Sequence, residues 1–166
     1  FFYKIYYKLK RFLKYKKVKI SNYNAVSVLD YNYHRGSWTY NPDAKFYGSV
    51  GIEGGIKNAT SNMEKLYNLL QENNIKLSVA VYPHPSQILY DEVNSKQVKI
   101  WKKFCENKCY EFINFFPPFF NYAKKFGKNE TIKKFYIDND AHLNEEGHKF
   151  FAENFLSLFR IIGTIK

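Results

Sequence analysis

Residues 62–85 read NMEKLYNLLQENNIKLSVAVYPHP, and the order of patterns in them sets the fold class. Met63, Leu66, Tyr67 and Leu70 recur at three- and four-residue steps, the spacing of one helix face, with Thr60 or Ser61 as N-cap. Asn73 and Asn74 end that pattern. Lys76–Tyr82, KLSVAVY, is a β-branched apolar run and predicts a strand, stopped by Pro83 and Pro85 at the start of a proline-rich loop.

The alternation continues downstream. A helix is expected from Ser95, with Val98, Trp101 and Cys105 on one face. Glu111–Phe115 predicts a second strand, closed by Pro117 and Pro118, and Phe135–Ile137 a third, short one. A last helix starts at Asn144, an N-cap followed by Glu145 and Glu146 that complement the helix dipole, and turns Phe151, Phe155, Leu158 and Ile162 inward. Strands alternating with helices predict a mostly parallel sheet covered on both faces, a three-layer α/β/α domain.

Upstream, Ala25–Leu29 is β-like, and Asp30–Gly55 is expected to be irregular, broken by Pro42, Gly48, Gly51, Gly54 and Gly55. Residues 1–17, FFYKIYYKLKRFLKYKK, place Phe2, Ile5, Leu9 and Phe12 on one side of a helix and lysines on the other. The organisation expected is therefore a basic amphipathic helix and linker over residues 1–24 and an α/β domain over 25–166. The sequence opens on Phe1 and not on Met, and is read as a piece of a longer chain.

With 166 residues, 45% of them hydrophobic, the chain carries enough apolar material for one core. Its net charge of +11 raises the question of nucleic acid, but only Arg11, Arg35 and Arg160 are arginines. Lysine lacks the forked guanidinium that reads phosphates and bases, so the surplus reads as a solvated surface and no nucleic-acid partner is expected. The N-terminal helix has the make-up for contact with an anionic membrane surface. No apolar run approaches the ~20 residues of a transmembrane helix. Cys105 and Cys109, one helical turn apart on the same face, are read as unbridged small apolar residues or a redox pair.

The residues most able to do chemistry lie in Phe135–Phe151, FYIDNDAHLNEEGHKFF. A carboxylate two residues before a histidine holds the ring in one tautomer and stabilises the imidazolium after the ring has taken a proton. Asp140 is the first choice for that carboxylate, with Asp138 as substitute and His142 as the base. Asp140, His142, Asn144, Gly147 and His148 form the string D-x-H-x-N-x-x-G-H, which resembles the last block of SGNH/GDSL hydrolases. The two-residue spacing is similar to the alginate O-acetyltransferase-like branch; the family's commoner spacing would put the carboxylate where Asn139 stands. A weaker likeness in residues 62–92 extends the resemblance over roughly residues 57–160.

That resemblance implies a flavodoxin-like fold and acyl transfer through a serine acyl-enzyme, with an acylated carbohydrate or similar ester as substrate and no cofactor. His84, held between two prolines, and Trp38, a loop indole suited to stacking on a sugar ring, are the substrate-facing candidates. The family's G-D-S block is absent. Ser37 and Ser49 are the in-chain candidates for the nucleophile, but a serine upstream of Phe1 is the stronger expectation. Gly54, Gly55 and Asn58 match the family's oxyanion-hole spacing poorly. His148 is expected to pack or bond structurally. A calcium loop would need glycine at Leu143 and glutamate at Lys149. A zinc site from Asp140, His142 and His148 has donors but no recognised spacing. Glu145 and Glu146 are better read as helix-end charges than as a glycosidase pair. The alternative function is a non-catalytic module that binds polysaccharide or a membrane surface.

Overall fold

The computed structural model describes residues 35–44 and 49–163, with 159–163 as backbone only. The expected basic helix, the Ala25–Leu29 run and the boundary at residue 24 lie outside the described residues. A 3-10 turn, Ser37–Thr39, precedes helix α1 (Gly51–Glu72), strand β1 (Ser78–Val81), and helices α2 (Pro85–Tyr90) and α3 (Lys96–Cys105). Strand β2 (Glu111–Asn114) and helices α4 (Phe116–Phe126), α5 (Lys128–Phe135) and α6 (Glu145–Gly163) follow. The described part is mixed α/β, mainly helical, with a two-stranded sheet. β1 and β2 pair in parallel, Ser78 opposite Glu111 and Val81 opposite Asn114, with α2 and α3 as the crossover.

Several elements depart from the sequence reading. Helix α1 starts nine residues before Thr60, through Gly54 and Gly55, which the irregular stretch had claimed. Two glycines cost roughly 1 kcal/mol each in a helix, but Ile52, Ile56, Met63, Tyr67 and Leu70 continue one half-buried face across them. The Thr60 hydroxyl does not cap. It donates back to the carbonyls of Ile56 (2.9 Å) and Lys57 (3.1 Å). At the other end Asn74 takes a left-handed φ of 57°. The N–H groups of Ile75 and Asn74 then bond to the carbonyls of Leu70 (2.9 Å) and Gln71 (3.0 Å), a Schellman stop.

The loop after β1 is also helical, since Pro85 sits in the first turn of α2, where no backbone donor is required. Pro117 and Pro118 likewise lie in the first turn of α4, where the Asn114 side chain accepts from the Phe116 N–H at 3.0 Å. Phe135–Ile137 is no sheet strand: Phe135 ends α5, and Tyr136 forms one isolated antiparallel bridge with Leu143.

Cys105 and Cys109 are joined in a disulfide, against the expectation. Helix α3 ends at Cys105, and the turn beyond it brings the two Cα atoms to 4.6 Å, within the span of a bridge.

The main core is aromatic. Phe115 and Phe119 are fully buried and Phe135 nearly so, with Ile88, Ile113 and Tyr136 around them. Helix α6 closes this core by stacking Phe151 on Phe115 (3.9 Å) and Phe150 on Phe135 (4.4 Å). A smaller cluster of Val81, Val98 and Phe116 seats α3 on the sheet. Among the described residues no helix is long and apolar enough to cross a membrane.

Candidate functional site

The hairpin that carries Asp140 and His142 is fixed at its base by residues on either side. The Tyr136–Leu143 bridge closes it, and the Ile137 N–H donates to the His142 carbonyl at 2.9 Å. The turn runs through Asn139 at φ 56°, a left-handed conformation that asparagine tolerates better than most residues. Asn144 then anchors the hairpin to two helices at once. Its Nδ2 donates to the carbonyls of Lys134 (2.9 Å) and Tyr136 (3.1 Å), where α5 ends, and its Oδ1 accepts from Gly147 N–H (2.9 Å), where α6 begins. That is the N-cap read from the sequence, with a second task in the same amide. Gly147 packs so tightly that a Cβ would stand 2.0 Å from the Phe135 carbonyl oxygen.

On this frame Asp140 Oδ1 lies 2.8 Å from His142 Nδ1 and also accepts from Ala141 N–H at 2.6 Å. A carboxylate on Nδ1 keeps the proton there and leaves Nε2 as the basic nitrogen. The His142 side chain is 67% exposed, so that nitrogen is reachable from solvent. Partial burial raises the Asp140 carboxyl, but the bonds from His142 and Ala141 outweigh it and hold the group below its ordinary value. Asp138 is exposed and makes no hydrogen bond among the described residues. Asp140 is therefore the carboxylate that meets the imidazole.

His84 lies just beyond the carboxyl end of β1, where ligands gather in parallel α/β sheets. It is the N-cap residue of α2. Its N–H donates to Gln87 Oε1 at 2.8 Å, and its carbonyl accepts from Gln87 N–H at 3.0 Å. With that N–H engaged by the carbonyl, the buried Nδ1 has no hydrogen-bond partner among the described residues. Burial first, then the charges of Arg35 and His142, push the His84 ring down to about 4. It is a neutral imidazole near neutral pH. Tyr136 ties the two loops together: its buried hydroxyl donates to the Pro83 carbonyl at 2.5 Å, one residue before His84.

The turn at residues 36–40 lies along α2. A Cβ on Gly36 would stand 2.6 Å from the Gln87 side chain, so glycine permits the approach. Thr39 Oγ1 donates to Asp91 Oδ2 (2.5 Å), which also accepts from Ser95 Oγ (2.7 Å). Gln87 Nε2 donates to Thr39 Oγ1 (3.2 Å) and Gln97 Oε1 (3.0 Å). This polar network and Arg35 went unread in the sequence. The His84-x-x-Gln87 spacing, a capping-box pattern with histidine in place of serine, was the available signal.

The remaining candidates fall elsewhere. Trp38 lines cavities against α1 and α3, whose walls include neither Asp140 nor His142. Ser37 is buried and Ser49 exposed, and no serine oxygen bonds the His142 ring among the described residues. Gly54, Gly55 and Asn58 are in helix α1, where their N–H groups belong to the helix ladder and not to an anion hole. His148, expected to pack or bond structurally, is exposed on α6. Among the described residues no three His, Cys, Asp or Glu side chains converge as a metal site. No family model, curated protein or solved structure matches the chain.

Proposed function

We propose that this chain belongs to an SGNH-type, three-layer α/β/α esterase or O-acyltransferase and supplies its Asp–His pair. The observation that supports this reading is the Asp140–His142 contact on a hairpin pinned at both ends, with an exposed basic nitrogen. The serine comes from outside the described residues. Its hydroxyl attacks the ester carbonyl while His142 Nε2 takes the proton, and the imidazolium is stabilised by Asp140. As the ester C–O bond breaks, His142 returns that proton to the leaving alkoxide, leaving an acyl-serine. Water or a sugar hydroxyl then attacks the acyl carbon, with His142 again taking the proton and handing it to the serine oxygen. His84, neutral and on the facing loop, contacts the substrate. An acylated carbohydrate is the substrate class, and the chemistry needs no cofactor.

In the complete protein, His142→Ala is expected to lower 4-nitrophenyl acetate turnover by several orders of magnitude. Asp138→Ala leaves the rate within about threefold, because that carboxylate does not touch the ring. A near-normal rate in His142→Ala overturns the proposal and favours the binding-module reading.

A further inference from the structure

Both tryptophans of the chain, Trp38 and Trp101, line one cavity of about 290 Å³ between α1, α3 and the 3-10 turn. Helix α1 buries none of its 22 residues. It is held to α3 and the turn after it by two ion pairs, Glu53–Lys96 (2.8 Å) and Glu64–Lys108 (2.6 Å). These struts stand about 16 Å apart along the helix, and the cavity lies between α1 and α3 with walls from both. A Cβ placed on Gly55, in the cavity wall, would meet nothing within 4 Å.

The lining decides the chemistry of an occupant. Ile52, Ile56 and Ile100 are purely apolar, and the one hydroxyl, on Thr60, is already donated to its own helix. A sugar or an anion would lose its hydrogen bonds with water and find few in return. An aliphatic chain loses nothing. At about 30 Å³ for each water-sized group, the volume holds roughly ten such groups, the bulk of a medium-length aliphatic chain. Trp38, Gly51 and Ile52 also border a second, wider cavity of about 640 Å³, where Tyr40, Asp43, Glu53 and Lys96 supply polar groups. An apolar slot that shares three wall residues with a more polar cavity matches an amphiphile.

We propose that the slot between α1 and α3 binds the aliphatic tail of an acyl-chain amphiphile, with Trp38 at the junction of tail and head. The proposal stands whether or not Asp140 and His142 turn over an ester. Since no other tryptophan is present, emission excited beyond the tyrosine absorption band comes from the two indoles that line this slot. Titration with sodium decanoate below its micellar range is expected to give a saturable blue shift, and sodium acetate none. Gly55→Leu fills the slot and replaces glycine with a better helix former. It should weaken decanoate binding at least tenfold while far-UV circular dichroism holds or gains helical signal. 1-Decanol, which has no charge for the lysine-rich surface to attract, should bind as well. Tighter binding of methyl decanoate than of decanoate assigns the slot to an esterified chain, and the reverse to a free acid; either result keeps the proposal. No saturation, equal affinity in Gly55→Leu, or silence with 1-decanol overturns it.

Discussion

Helices α1 and α6 are close in length, 22 and 19 residues, yet they join the molecule in opposite ways. Helix α6 sets Phe150, Phe151, Phe155 and Leu158 against the aromatic core and starts on an asparagine bonded to three partners. Helix α1 buries no residue, leaves Leu66 and Leu69 exposed, and is held by ion pairs. Surface ion pairs contribute only ~0–1 kcal/mol each, whereas a buried aromatic ring contributes several times that. Among the described residues, burial is therefore concentrated on the side of the Asp140–His142 hairpin, and α1 contributes only a half-buried face.

The comparison can be broken most directly in the core. Phe119 is fully buried and meets Phe135, Tyr136 and Phe150 edge-on or tilted. Phe119→Ala is expected to cost about 3–5 kcal/mol of stability in urea unfolding, and a loss under 1 kcal/mol would mean that burial does not hold the α6 side.

A second, smaller effect is set by pH. His84 takes a proton at about 4 in the folded chain and near 6.5 in the unfolded one. Between those values the unfolded state binds the extra proton, so stability falls as pH falls, by roughly 3 kcal/mol across the window. Above pH 6.5 the effect is absent, and below 4 it is constant. Asp140, held below its usual range, adds its own loss only as pH drops through its lowered value. Melting curves from pH 7 to 4 should show the slope in the wild type and lose most of it in His84→Asn.

The smallest effect belongs to α1. Leu69 is 56% exposed, and Leu69→Ala should move stability by no more than about 0.5 kcal/mol. A loss comparable to that of Phe119→Ala would erase the contrast between the helices.

The sequence carried the parts of this arrangement that rest on local signals. The strands at 78–81 and 111–114 follow β-branched or aromatic runs stopped by proline, and Ser95 and Asn144 cap the helices they precede. The two-residue spacing and the resemblance that goes with it favour Asp140 over Asp138, and Asp140 is the carboxylate that meets the ring. The misreadings share a cause, for each concerns a residue whose ordinary preference is overridden by its neighbours. Gly54 and Gly55 continue a helix because apolar residues on both sides keep its period. Pro85 opens a helix where it was read as punctuation. Tyr136 leaves the sheet because Leu143 and Asn144, seven and eight residues on, claim its backbone. The cysteine bridge depends on where α3 ends, and no signal within Cys105–Cys109 states that end.

Gly147 and Gly55 sit in two helices and would look equivalent in any composition table. A methyl group on one collides with the Phe135 carbonyl, and on the other it enters empty space. Over generations of neutral drift the first position is closed to all twenty residues but one, while the second stays open. At Gly55 only what the slot beside Trp101 holds, and not the packing of the chain, limits the side chain. The glycine behind the Asp140–His142 hairpin must be inherited unchanged.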